Sequence, residues 1–302
     1  MKILLIGKHG QVGFELQRTL LSLGDVLAIG RSEANCENPS GLNDVLRDVS
    51  PDVIVNAAAY TAVDKAESDE STAFTVNAEA VAVLASYGRQ SGALLIHYST
   101  DYVFDGTKQG SYGETDLANP QSVYGRSKRA GEEAILQSGC NALVIRTSWV
   151  FSAHGSNFIK TILRLAKERD SLNVVADQFG APTSAELIAD ITALAVAAYR
   201  SSRIAPGIYH LAPAGETTWH GLAQHVVERA RANGLALKLS PDRISPVSTE
   251  QYPLPAKRPQ NSRLDTGKLT AALGLHLPDW KNHVNRTVDQ LVSGNWLVEH
   301  RK

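Results

Sequence analysis

Short runs of β-branched and aliphatic residues alternate with longer amphipathic stretches through the first half of the chain. Residues 2–6, 26–29, 53–56, 94–99 and 142–147 are near-continuous apolar runs, the pattern of strands buried on both faces. Between them, residues 13–22, 41–49, 71–91 and 122–137 repeat their apolar positions at helical spacing. Such alternation predicts an α/β fold, a doubly wound parallel sheet of the Rossmann-like kind, in which ligands sit beyond the carboxyl ends of the strands. After Trp149 the pattern loosens to a helix over 157–169, a strand over 173–176, a helix over 185–200 and a strand over 207–211. Two interleaved domains are expected: a dinucleotide-binding unit over 1–150 that recovers a segment near 185–212, and a smaller C-terminal α/β substrate-binding unit within 151–302. The Pro-, Ser- and charge-rich stretch 241–263 is expected to be an ordered loop, because apolar residues resume after it.

Composition narrows the class of partner. Thirty Lys and Arg face thirty-one Asp and Glu, so the net charge of −1 gives no reason to expect nucleic acid or a membrane surface as a partner. The apolar run 3–6 ends at Gly7 and Lys8, too short for a secretory signal, and no segment approaches the ~20 apolar residues of a membrane span. Cys36 and Cys140 are the only cysteines, which suits reduced thiols and a cytoplasmic protein. No spacing of ligating residues marks a metal site.

Directly after the first strand comes Gly7-Lys8-His9-Gly10-Gln11-Val12-Gly13, leading into a helix. Glycines there allow a tight turn and bring backbone amides and a helix N-terminus against a pyrophosphate. At the end of the second strand, where an NAD site places an acid on the adenosine ribose, stands Gly30-Arg31-Ser32. A guanidinium there holds a 2′-phosphate and favours NADPH, with NADH as the lesser alternative, unless Arg31 is simply solvated. The small residues Asn56-Ala57-Ala58-Ala59 after the third strand let a dinucleotide lie close to backbone. Ala57, Ala59, Tyr60 and Thr61 are its candidate neighbours, or else they pack a helix on the sheet.

Tyr124-Gly125-Arg126-Ser127-Lys128 places a phenol and an ammonium one helical turn apart, on one face. A neighbouring cation is expected to lower the phenol's pKa and fit Tyr124 to give a proton to a developing alkoxide. Thr100, in Ser99-Thr100-Asp101-Tyr102-Val103-Phe104 at a strand end, is the second hydroxyl able to reach the same carbonyl oxygen.

The order of glycine turn, Asn-Ala-Ala, strand-end Ser/Thr and Tyr-x-x-x-Lys resembles the extended short-chain dehydrogenases. More closely, segments 7–13, 53–59, 61–67, 98–104 and 124–128, with Arg146-Thr147-Ser148-Trp149-Val150, Asp177-Gln178-Phe179-Gly180-Ala181-Pro182-Thr183 and Arg258-Pro259, resemble the dTDP-4-dehydrorhamnose reductase family along essentially the full chain. The resemblance implies an NAD(P)H-dependent oxidoreductase that reduces the C4 ketone of dTDP-4-dehydro-β-L-rhamnose, the last step of dTDP-rhamnose synthesis. It implies Tyr124 as proton donor, Lys128 on the nicotinamide ribose, Thr100 on the reacting oxygen, and Tyr98 beside the cofactor. Val63, Asp101 and Trp149 would line the sugar pocket, with Arg258 near the diphosphate. It also implies a homodimer around Mg²⁺, with Glu15, Glu186 and Asp190 as candidate ligands. The competing readings are another extended short-chain epimerase or dehydratase acting on a nucleotide sugar, and a non-catalytic NADP-binding regulatory subunit.

Overall fold

A computed structural model describes residues 1–294; the last eight positions of the expected second unit lie outside the described residues. Six strands build the central sheet: β1 Lys2–Ile6, β2 Asp25–Ile29, β3 Val53–Asn56, β4 Leu94–Thr100, β5 Ala142–Thr147 and β6 Gly207–His210. They lie in the order β6-β5-β4-β3-β1-β2, every neighbouring pair parallel. The chain runs outward from β1 in one direction to β2 and in the other to β3, so the sheet is doubly wound with its switch point between β1 and β3. Loops leaving those two strands diverge there and leave a crevice at their carboxyl ends.

Strand alternation sends side chains into two cores. Ile3, Leu5, Val55, Ile96 and Ile145 pack under α1 (Gln11–Thr19) and, with Leu187, Ile188 and Ile191, under a later helix, Ala185–Arg200. Leu4, Ile6, Ile54, Leu95 and Val144 face α2 (Pro39–Val49), α3 (Ala80–Ser91) and α4 (Val123–Ser138) on the other side. A third core, separate from the sheet, joins α5 (Phe158–Glu168) with α7 (Trp219–Ala232) and α8 (Trp280–Ser293), numbering Ala185–Arg200 as α6. Two short strands, Leu172–Val175 and Ile244–Val247, pair in parallel beside it. Among the described residues no helix is long and apolar enough to cross a membrane.

Several element bounds differ from the sequence reading. The helix expected over 71–91 is three pieces: an α-turn Glu70–Phe74, a π-helical segment Thr75–Glu79, and α3. The wider π turn carries Asn77, and Gly131 of α4 packs against it so closely that a Cβ there would lie 2.2 Å from the Asn77 carbonyl oxygen. Stretch 241–263 is not all loop; it holds two 3₁₀ turns as well as strand Ile244–Val247. Strand pairing with 172–175 orders it, a long-range contact that local composition does not report.

Candidate active site

The glycine turn is fixed by backbone contacts. Gly7 has φ +94°, and a Cβ on it would meet the Ala58 nitrogen at 2.7 Å; a Cβ on Gly13 would sit 2.0 Å from the Gly7 oxygen. Both glycines are therefore required by the fold. Gly10 is different: a Cβ there meets the Gly7 oxygen at 3.5 Å and the Ala57 oxygen at 4.0 Å, ordinary contacts. Gly10 is also the N-cap of α1, with no side chain capping the helix. The first amides of α1 thus stay open to an anion, an arrangement that fits the pyrophosphate of a dinucleotide. Val12 packs inward on the first core, and Gln11 Oε1 accepts from Asn157 Nδ2 at 2.9 Å, tying the turn to the segment that precedes α5.

Around the rest of the crevice the candidates are unequally placed. Ala57, Ala59 and Tyr60 are half-buried along its wall and Thr61 is exposed. Tyr60 is held from both ends, its amide donating to Asn77 Oδ1 at 2.9 Å and its hydroxyl to Asp69 at 3.0 Å. Asn77, missed in the sequence reading, also donates to Ser127 Oγ of α4 at 3.0 Å and so locks this wall to the helix that carries Tyr124. Arg31 is largely exposed and paired with Glu37. A second acid close in sequence, Glu33, is engaged by Lys8, Ser32 and the Gly30 amide, which hold its carboxyl down at about 2. Tyr98 gives its hydroxyl to Thr192 of α6 at 2.8 Å, so only its ring is left for a ligand.

Tyr124, Lys128 and Thr100 converge because α4 begins beside the end of β4. Ser122 caps α4 by accepting the Gly125 amide at 3.1 Å, and Gly125 lies under the Tyr102 carbonyl oxygen, where a Cβ would come to 2.3 Å. Tyr124 is thereby brought up to the Thr100 hydroxyl. Thr100 Oγ1 donates to Asp101 Oδ1 at 3.0 Å and accepts the Tyr102 amide at 3.2 Å. One sequence expectation is overturned here. Desolvation, with a smaller contribution from Asp101, pushes the Tyr124 phenol up to about 12 against the opposing pull of the Thr100 hydroxyl. Lys128 does not offset this: its Nζ is turned to His97 Nε2 at 3.3 Å, and burial brings the ammonium down to about 8. Proximity along a helix did not ensure that cation and phenol face each other. The phenol stays protonated at neutral pH, which is the state a proton donor needs.

On the sugar side, Asp101 is 2% exposed, its Oδ2 lacks a hydrogen bond of good geometry, and burial raises the carboxyl to about 6 although Ser262 and Thr100 pull it down. Trp149 sits at φ +50° and stacks on Trp219 with ring centroids 3.8 Å apart. Trp219 donates to Gln178 at 3.1 Å and borders a cavity of about 860 Å³ whose apolar wall includes Phe158, Ile162 and Val174. Arg258 lines the same cavity and forks onto Asp64 of the short helix Val63–Ala66 at 2.7 and 3.0 Å, an ion pair between sequence-distant segments that the sequence did not disclose. Val63, beside Asp64, is half-buried. Beneath the site, Glu132 and Arg146 form a fully buried two-bond pair at 2.7 Å.

The three carboxylates suggested for Mg²⁺ lie near one another, since Glu186 and Asp190 both raise Glu15 after desolvation. Glu186 is nevertheless paired with Arg286 at 2.9 Å, and Asp190 with Arg18 at 3.2 Å. Among the described residues no group of three His, Cys, Asp or Glu is placed to hold a metal ion. The arginines supply the countercharge, and the arrangement does not support the cation.

Comparison with known proteins agrees with this geometry. The profile of the RmlD substrate binding domain matches residues 1–293. A dTDP-4-dehydrorhamnose reductase of Burkholderia thailandensis is 50% identical over 297 residues, covering 97% of this chain and 100% of the relative. The crystal structure of a dTDP-4-dehydrorhamnose reductase from Clostridium acetobutylicum superposes with a TM-score of 0.88 at 34% identity, over 96% of this chain and 99% of that one. One from Bacillus anthracis, in complex with NADP, superposes with a TM-score of 0.85 at 31% identity, over 95% and 98%. With matches of this length at both levels, the chain belongs to the dTDP-4-dehydrorhamnose reductase family.

Proposed function

We propose that the protein reduces the C4 ketone of dTDP-4-dehydro-β-L-rhamnose to dTDP-β-L-rhamnose with NADPH. The observation that carries the reading is a protonated phenol, Tyr124, beside the Thr100 hydroxyl at the end of β4, within a sheet whose switch-point crevice is lined by an open helix N-terminus.

The open amides of α1 and the Gly7–Gly13 turn would hold the pyrophosphate, and Arg31 with Ser32 the 2′-phosphate, after Arg31 exchanges Glu37 for it. Once bound, the dinucleotide supplies hydride to the carbonyl carbon. Tyr124 gives its hydroxyl proton to the carbonyl oxygen as negative charge grows there, and Thr100 fixes that oxygen by a second hydrogen bond once its O–H turns from Asp101 Oδ1. Lys128 holds the nicotinamide ribose from the same helical face. Asp101 Oδ2, buried and under-bonded, accepts from a sugar hydroxyl, and the Trp149 ring gives the sugar an apolar face. The apolar cavity bordered by Trp219 takes the nucleoside end, with Arg258 at its edge toward the diphosphate.

NADPH oxidation on adding dTDP-4-dehydrorhamnose, with the product identified as the 4-hydroxy sugar, tests the reading. Turnover of a nucleotide sugar without net consumption of NADPH would point instead to an epimerase and defeat it.

A further inference from the structure

β3 and β4 pair in a register that sets Asn56 opposite His97. Both side chains are buried, and their polar atoms can be accounted for one by one. Asn56 Oδ1 accepts the Ala58 amide at 3.2 Å, which fixes the orientation of the side-chain amide and leaves Nδ2, a donor, 3.2 Å from His97 Nδ1. Nδ1 must therefore accept. His97 is wholly buried, and burial keeps its imidazole well below the ordinary range, so the ring is neutral; with Nδ1 accepting, its proton is on Nε2. That N–H points at Lys128 Nζ, 3.3 Å away. An ammonium has three donors and no acceptor; only the neutral amine offers a lone pair.

We propose that His97 is a positioning residue for Lys128: through the tautomer imposed by Asn56 and Ala58, it fixes the lysine side chain and favours its neutral amine in the dinucleotide-free protein. On α4, Tyr124 and Glu132 each lie one turn from this lysine, and Glu132 is paired with Arg146 of β5. Of these, Glu132 pulls toward the ammonium and opposes burial. His97 is the hydrogen-bond partner that decides whether Nζ meets a donor or an acceptor. The same Asn56 holds the Ala58 amide, whose nitrogen abuts Gly7, so the charge on Lys128 is coupled to the wall behind the glycine turn. Protonating Lys128 favours the Nδ1–H tautomer, which requires Asn56 to turn over and release Ala58.

The catalytic importance of this coupling rests on the proposed reduction; the coupling itself does not, so it is tested without substrate. In the full chain labelled with ¹³C at lysine Cε and free of dinucleotide, the Lys128 resonance is identified by its loss in Lys128→Met and followed through a pH titration. If His97 presents N–H to Nζ, His97→Leu raises the Lys128 transition by about half a pH unit or more, because a misdirected donor is removed. His97→Gln, which can turn an oxygen to Nζ, raises it as well and keeps the test open should the leucine variant fail to fold. A lowered transition in a folded variant would mean that His97 presents its lone pair, and an unmoved one that the two are uncoupled; either overturns the proposal. Loss of reductase activity in the wild-type protein would defeat the reaction and leave this result standing.

Discussion

The Tyr124 and Thr100 hydroxyls come together across the junction of α4 and β4, two elements that Ser122 and Gly125 bring together at that point. A hydroxyl pair in that place defines where a carbonyl oxygen must sit, because an oxygen within reach of both is held between them. The chemistry follows from the protonation state: a buried phenol pushed up to about 12 gives its proton only to a strongly basic oxygen, such as the alkoxide formed as hydride arrives.

Replacing Tyr124 with Phe removes that proton and little else, since the ring keeps its edge-on contact with Tyr102 at 5.5 Å. Turnover is expected to fall by about 10²–10⁴-fold with NADPH affinity unchanged, as read from kcat and from fluorescence titration of NADPH. A rate within a few-fold of the wild type would remove Tyr124 from the mechanism.

Gly10 and Gly13 should separate ligand binding from folding. Gly13→Ala forces a methyl into the Gly7 carbonyl and is expected to cost about 1–3 kcal/mol of stability. Gly10→Ala meets nothing tight within the protein, so its Tm should stay near that of the wild type while NADPH binding weakens severalfold. Thermal unfolding with and without NADPH distinguishes the two, and equal destabilisation by both would contradict the assignment of Gly10 to the ligand.

Asp101 makes stability depend on pH in an unusual direction for a carboxylate. Its folded-state pKa is raised to about 6 from an ordinary value near 3.8, so the folded protein binds this proton more tightly than the unfolded chain does. Its favourable contribution is present below the unfolded pKa and is lost as pH climbs through about 6, a change of about 3 kcal/mol. Asp101→Asn, which cannot ionise, should therefore gain stability relative to the wild type between pH 4 and 7. Denaturant midpoints at those two pH values measure the gain, and a constant difference between the proteins would refute it.

On the proposed reading, Arg31 exchanges the carboxylate of Glu37 for a 2′-phosphate. Arg31→Ala is expected to raise the KM for NADPH by about tenfold and to leave that for NADH nearly unchanged. A parallel loss with both dinucleotides would assign Arg31 to the shared part of the cofactor or to the fold.

Sequence by itself determined the parallel α/β sheet, the glycine turn and the three hydroxyl- and amine-bearing residues, because each of these is written in local pattern. Strand burial appears as runs such as Val53–Asn56, and the Tyr124–Lys128 spacing is one helical turn wherever the helix lies. What required the tertiary structure was the partner of each group. Lys128 turns to His97 rather than to Tyr124, Arg258 closes on Asp64, and Asn77 rides on a π turn that sequence periodicity had read as plain helix. These pairings join residues 31 to 194 positions apart or depend on one extra residue in a turn, and burial then moves the protonation of Tyr124 and Lys128. Local spacing fixes which face a side chain leaves from; only packing decides what it meets and how much water is left around it.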